Sequence, residues 1–165
     1  MNRKYTKEDY LKLVSKMREI IPNVVFSTDI IVGFPGETDE EFEDTLDVVK
    51  KVGFEQAFMF IYSPREGTVA AERKDQIPEE IKHIRFDKLK EIYDLSIDEI
   101  NNKYIGTVQN ILVEGASKNN KEMLTGRTDT NKVVVFEEKD GEKQGDFVNV
   151  KILENHKWFL QGKIV

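Results

Sequence analysis

Residues 27–42, reading STDIIVGFPGETDEEF, place polar side chains on an apolar strand that runs into a Gly-Pro-Gly turn and then opens an acidic helix. A strand-to-helix turn is where α/β proteins commonly hold small ligands. Along residues 24–32, strand alternation puts Val25, Ser27, Asp29 and Ile31 on one face and Phe26, Thr28 and Ile30 on the other. No Gly-Lys-Ser/Thr follows the turn, which argues against a phosphate-cradling P-loop. The same residues also have a plain structural role: Gly33, Pro35 and Gly36 shape a tight turn, Thr38 and Glu41 cap a helix, and Asp29 is a hydrogen-bonded strand polar.

A second group, Tyr62, Ser63 and Arg65, follows an apolar run at residues 57–62, at the strand end where α/β enzymes place chemistry. Arg65 has the charge to neutralise a phosphate or carboxylate, or it is simply a solvated loop arginine. Farther on, Arg127, Asn131 and Lys132 cluster in GRTDTNK, with Lys118 and Lys121 in an earlier loop and Lys151, His156 and Lys157 in a later one. Such cations, brought to one end of a barrel, suit a bent RNA backbone. Phe136 and Trp158 are available for stacking, although both read first as core residues. His83 and His156 are isolated and suggest no metal site.

Composition narrows the chemistry. The 165 residues contain no cysteine, so disulfides, thiolate metal sites, iron–sulfur ligation and cysteine nucleophiles are excluded within this chain. A net charge of -6 does not favour wholesale attraction to nucleic acid or anionic membrane. The first residues, MNRKYTKEDY, lack an apolar targeting core, and no run approaches the ~18 apolar residues of a membrane span; a cytoplasmic location is expected.

Residues 1–103 hold 16 Lys/Arg against 22 Asp/Glu, whereas the remainder holds nine of each. The hydrophobic pattern changes at the same place, predicting two units of different class, 1–102 and 103–165. In the first, Thr6 and Asp9 form a capping box before a stripe of Tyr10, Val14, Met17 and Ile21, ended by Pro22 and Asn23. Residues 24–32 and 57–62 read as strands covered on both faces, as in parallel sheets. Thr38 and Glu41 cap a helix that buries Phe42, Leu46 and Val49 and ends at Gly53. Pro78 suits a first helical position, opening a long helix striped by Phe86, Leu89, Tyr93, Ile97 and Ile100. This is a βαβα run with too few strands for a closed sheet. The second unit reads as short strands at 108–114, 122–126, 132–136, 147–152 and 158–165, with turns at 117–120, 140–141, 145–146 and 154–155. That pattern suggests a small OB-like barrel.

The segments STDIIVGFPGET, FIYSPREGT, IPEEIK, ILVEG and GRTDTNKVVVF, and the closing W-x-L-x-G of Trp158, Leu160 and Gly162, occur in order along nearly the whole chain. In these motifs the chain resembles the radical S-adenosylmethionine (SAM) methylthiotransferases, most of all their tRNA-modifying, MiaB-type members. The resemblance implies the C-terminal part of an incomplete parallel α/β barrel followed by a TRAM β-barrel that recognises substrate. It implies an enzyme that adds a methylthio group to position 2 of an isopentenylated adenosine beside the tRNA anticodon. That enzyme uses S-adenosylmethionine and two [4Fe–4S] clusters held by cysteines, one set spaced Cys-x-x-x-Cys-x-x-Cys. None of those cysteines is present, so the resemblance implies a fragment, inactive alone, whose partners are the missing N-terminal half and the tRNA anticodon stem-loop.

By the same comparison, Ser27 and Asp29 are candidates for polar cofactor contacts, Ile31, Gly33 and Phe34 for the adenine side, and Arg65 for the cofactor carboxylate. The match to the radical SAM pattern Gly-x-Ile-x-Gly-x-x-Glu is approximate: Asp29 stands at the first Gly and Gly36 at the Glu, with Glu37 displaced by one. In the TRAM unit, Lys118, Lys121, Arg127, Asn131, Lys132 and Lys151 are the RNA-binding candidates. The alternatives are a sister methylthiotransferase acting on a ribosomal protein or another modified adenosine, a freestanding RNA-binding module, and a purely structural remnant.

Overall fold

The computed structural model describes Met1 and residues 3–118 and 120–165; Asn119, within the turn expected at 117–120, lies outside the described residues. The chain divides into two compact units, Met1–Ser96 and Ile97–Val165.

The first unit contains α1 (Lys7–Ile20), β1 (Ser27–Val32), α2 (Asp39–Val52), β2 (Gln56–Ile61), the single turn α3 (Val69–Glu72) and most of α4 (Glu79–Asn102). Both expected capping boxes form: Thr6 with Asp9 opens α1, and Thr38 with Glu41 opens α2. Gly53 closes α2 in the left-handed conformation. Phe42, Leu46, Val49 and Val52 bury one face of α2, and Leu89 and Tyr93 one face of α4. The Tyr93 hydroxyl accepts from the Ala57 amide, fixing α4 against the start of β2. Burial pushes that phenol's pKa up, which keeps the proton that the hydroxyl donates to the Glu55 carbonyl.

Strands β1 and β2 pair in parallel, Ser27 opposite Gln56 through Val32 opposite Ile61. The expectation that both strands are covered on both faces is corrected here. Thr28, Ile30 and Val32 are withdrawn from solvent, with Ala57, Met59 and Ile61 on the same face. The opposite face presents Ser27 and Asp29 to solvent beside Phe58 and Phe60, which are 49% and 51% exposed. The apolar run at 24–26 precedes the strand rather than opening it, and Ile21, expected on the inner stripe of α1, is exposed. Pro78 lies just before α4, where its carbonyl accepts from the Lys82 amide.

In the second unit, β3 (Val108–Ala116), β4 (Met123–Arg127), β5 (Val133–Glu137), β6 (Phe147–Asn155) and β7 (Leu160–Ile164) close a barrel in the order β3-β4-β5-β7-β6. Only β5 and β7 pair in parallel. This is the five-stranded, OB-like arrangement that the turn spacing suggested. Ile111, Val134, Phe136, Val150, Ile152 and Leu160 are fully buried at its centre. Gly162 is required where β7 crosses β6, because a Cβ there would overlap Val150 and the Lys151 carbonyl. Phe136→Ala is expected to destabilise the barrel by about 3–5 kcal/mol, from lost burial plus an unfilled cavity. Urea unfolding followed by amide exchange in β3 to β7 measures this.

Candidate functional site

The turn after β1 is held from beneath by two cations on α4. Gly33 has φ +73°, and a Cβ there would overlap the Lys82 side chain, so glycine is required both by conformation and by space. Lys82 is only 2% exposed; its Nζ donates to the Tyr62 carbonyl at 3.2 Å and to Glu79 at 2.6 Å, and sits over the Tyr62 ring. Arg85, also buried, donates to Glu37 Oε2 and to Asp39 Oδ1, each at 2.7 Å, and to the Glu37 carbonyl. Burial opposes its charge, but the hydrogen bonds to Asp39 and Glu37 outweigh that cost and leave its pKa raised. The other Glu37 interaction runs back into the turn, where Oε2 accepts from the Gly33 amide at 2.8 Å. Glu37 thus links β1's exit to α4. A second anchor lies at Gly36, whose amide donates to the Asp75 carbonyl.

Above this clamp lie the residues singled out for cofactor contact. Ser27 and Asp29 are exposed on the open face of β1; Ile31, in register with Phe60, continues that face toward the turn. Gly33 is buried and Phe34 half-buried, its ring meeting Tyr62 edge-on at 5.1 Å. The Tyr62 hydroxyl is buried without a hydrogen-bond partner. Arg65 stands apart in an exposed turn where its carbonyl accepts from Thr68. The open face therefore offers polar side chains and apolar surface to a ligand that is itself part polar and part apolar, which fits S-adenosylmethionine. It does not fit an iron–sulfur cluster, because no residue of the chain is a cysteine. Lys82 and Arg85 are absent from the sequence candidates, and Glu37 enters there only as the displaced Glu of the radical SAM pattern. The available signal was that Lys82 and Arg85 extend the apolar stripe of α4 by helical spacing.

On the barrel, the outer faces of β4 and β5 floor a groove of about 600 Å³ with Met123, Thr125, Val133 and Val135. Lys118 and Asn120 of the β3–β4 loop border it on one side, Trp158 and Phe159 of the β6–β7 loop on another. In OB-type barrels, these strands and these two loops are the surfaces that bind oligonucleotides. Arg127 lines the groove but is tied by Nε to Glu114 at 3.0 Å and by Nη1 to Asn131. Asn131 holds a left-handed backbone, φ +66°, in the β4–β5 turn. Two expectations need correction. Lys132 is buried, with its Nζ over the Tyr104 ring, so it does not stand beside Lys118 and Arg127 as an exposed cation. Trp158, expected in the core, is 61% exposed, whereas Phe136 does fill the core. Lys151, on β6, is exposed and in register with Val108 of β3 and Lys163 of β7, outside the groove lining, and Lys121 is exposed in the β3–β4 loop.

Residues 1–49 match the family model of the radical SAM superfamily, and residues 102–165 that of the TRAM domain. Across all of its residues the chain is 53% identical to the tRNA-2-methylthio-N(6)-dimethylallyladenosine synthase of Acetivibrio thermocellus, covering 34% of that protein. The whole chain is thus similar to one part of that synthase. The synthases of the same name from Caldicellulosiruptor saccharolyticus and Clostridium novyi are 53% and 50% identical over the full chain, which covers 35% and 36% of them. The chain thus spans about a third of the length of these curated relatives. Among solved structures, the apo form of Mycoplasma genitalium RNase R matches with a TM-score of 0.33 at 13% identity, over 52% of this chain and 17% of that one, too loose a likeness to inform the fold.

Two outcomes follow from the clamp. Arg85→Met leaves the nearly buried Glu37 carboxylate without its cation, an expected loss of about 3–5 kcal/mol, and adding Glu37→Gln recovers part of it; chemical denaturation of the single and double variants measures both. The Asp75 carboxyl is held below the usual range by its hydrogen bond from Arg73. Its folded pKa is depressed, so its contribution is complete above the unfolded value of about 4 and is lost as pH falls through the lower folded value. Carboxyl NMR titration is expected to show Asp75 protonating below that pH, and Asp75→Asn to remove this part of the acid sensitivity.

Proposed function

We propose that the chain is the C-terminal part of a radical SAM tRNA methylthiotransferase that modifies position 2 of isopentenyladenosine beside the anticodon. The observation that carries this is the similarity to such synthases over every residue, with radical SAM and TRAM matches in that order. On this reading residues 1–102 are the last strands and helices of the incomplete α/β barrel, and residues 103–165 the substrate-reading TRAM domain. The open face of β1 and β2 is then the barrel interior, which explains why phenylalanines and an aspartate share solvent exposure there.

S-adenosylmethionine, bound with an iron–sulfur cluster that has an open iron site, supplies the radical chemistry that protein side chains cannot. The part left to this chain is binding and positioning. Ser27 and Asp29 would hold polar groups of the cofactor, Ile31, Gly33 and Phe34 its adenine, and Arg65 its carboxylate. Lys82 and Arg85 keep the Gly33 turn in place from below. The cluster ligands belong to the partner portion of the enzyme, so the chain alone is inactive. Lys118, Lys121, Arg127 and Asn131 border the RNA face. The setting is the cytoplasm, where tRNA is modified; among the described residues no helix is long and apolar enough to cross a membrane.

Titration of the chain with anticodon stem-loop RNA at two salt concentrations tests the RNA half of this reading. Binding at low salt that weakens as salt rises is expected. Absence of binding at low salt contradicts it.

A further inference from the structure

Trp158 is out of place for a barrel residue. Phe136 is fully buried, whereas Trp158 is 61% exposed at the rim of the groove; Phe147, 67% exposed at the start of β6, is not among the groove's lining residues. Its exposure is not a matter of slack chain, because the β6–β7 loop is tied at several points. Asn101, itself fully buried, donates from Nδ2 to the Lys157 carbonyl at 2.7 Å and to Asn155 Oδ1 at 3.2 Å. The Lys157 amide donates to the same Asn155 oxygen, and Lys157 is held at φ +66°, a conformation that costs a non-glycine residue energy. The Trp158 amide donates to the His156 carbonyl, and the His156 ring stacks on Phe159 at 4.7 Å. A loop constrained in this way fixes the backbone from which the indole projects at the groove's rim.

The groove beside it has a mixed character. Its floor is apolar and half-buried, but Glu114 and Glu137 also line it, and Glu114 already engages Arg127. A phosphate chain laid along that floor would meet carboxylates. A neutral, flat nucleobase would not, and its π-face matches the indole. The cations sit at the edge instead: Lys118 on the β3–β4 loop, and Lys157, whose Nζ lies 5.8 Å from the indole centroid.

We infer that this groove is a nucleobase pocket, in which one unpaired base of a single-stranded RNA segment stacks on Trp158 while the RNA backbone follows the lysine rim. The inference rests on the RNA-binding reading above and deepens it, from attraction to RNA in general to recognition of an unstacked base. It predicts a preference for loops over duplexes in a chain whose net charge is negative.

The chain contains a single tryptophan, so its intrinsic fluorescence reports this site alone. A labelled hairpin RNA with a single-stranded loop, and the same strand annealed to its complement, are titrated into the full chain, with RNA anisotropy and tryptophan emission followed together. The hairpin is expected to quench the emission with the midpoint seen by anisotropy, and the duplex to bind more weakly and leave the emission unchanged. Trp158→Ala is expected to weaken hairpin binding on the order of tenfold at every salt concentration, and Trp158→Phe to keep most of the affinity. Lys118→Ala should instead flatten the salt dependence. Binding of the hairpin without quenching, or with unchanged affinity in Trp158→Ala, overturns the base pocket and leaves the RNA-binding reading standing. No hairpin binding by the unaltered chain at low salt overturns both.

Discussion

The first unit depends on two positive charges kept away from water. Lys82 and Arg85 lie on the buried side of α4, and neither is tolerable there without partners. Their partners are the Tyr62 carbonyl at the exit of β2, and Glu37 with Asp39 at the exit of β1. The two strand ends are therefore tied to one helix by charged hydrogen bonds rather than by apolar contact alone. Apolar packing is tolerant of small shifts, whereas these bonds specify direction as well as distance. Gly33 completes the arrangement, since the chain passes so close to Lys82 that no side chain fits. The turn that most resembles a ligand loop is thus rigid because of residues about fifty positions away in sequence.

The two units solve the problem of sheet edges in opposite ways. The barrel closes on itself, with β3 pairing to both β4 and β6, and buries a compact set of aliphatic residues around Phe136. The two-stranded sheet has one covered face and one open face. Exposed Phe58 and Phe60 on a sheet of this kind make sense as surface intended for contact, which on the proposed reading is with cofactor and with the rest of a barrel. The proposed functions divide along the same line: on that reading the open sheet contributes to a cofactor pocket, and the closed barrel carries the RNA interface.

Local signals in the sequence were read well where the physics is local. Thr38 with Glu41, Gly53 after α2, and the alternating short strands of the barrel depend on residues within a few positions of one another, and each formed as expected. The placement of Ser27 and Asp29 on one strand face follows from alternation alone. What alternation cannot say is whether that face is covered, and the expectation of cover on both sides was wrong for this chain. Lys132 and Trp158 exchanged their expected environments for a similar reason. A lysine beside a turn is ordinarily solvated and a tryptophan near a strand ordinarily buried. Here Lys132 turns inward over Tyr104, and Trp158 lies in the β6–β7 loop rather than in β7. The partnership of Arg85 with Glu37 spans 48 positions, and no short-range pattern encodes it.

The most direct test of the whole account is transplantation. Replacing the matched third of the Acetivibrio thermocellus synthase, 53% identical over the shared region, with this chain yields a protein that also contains the rest of that synthase. Mass spectrometry of nucleosides from tRNA exposed to that chimera, with S-adenosylmethionine and reductant supplied, is expected to show the methylthio derivative of isopentenyladenosine, and to lose it when Asp29 is changed to Ala. A chimera that folds and loads its iron–sulfur clusters, yet leaves tRNA unmodified, would contradict the account.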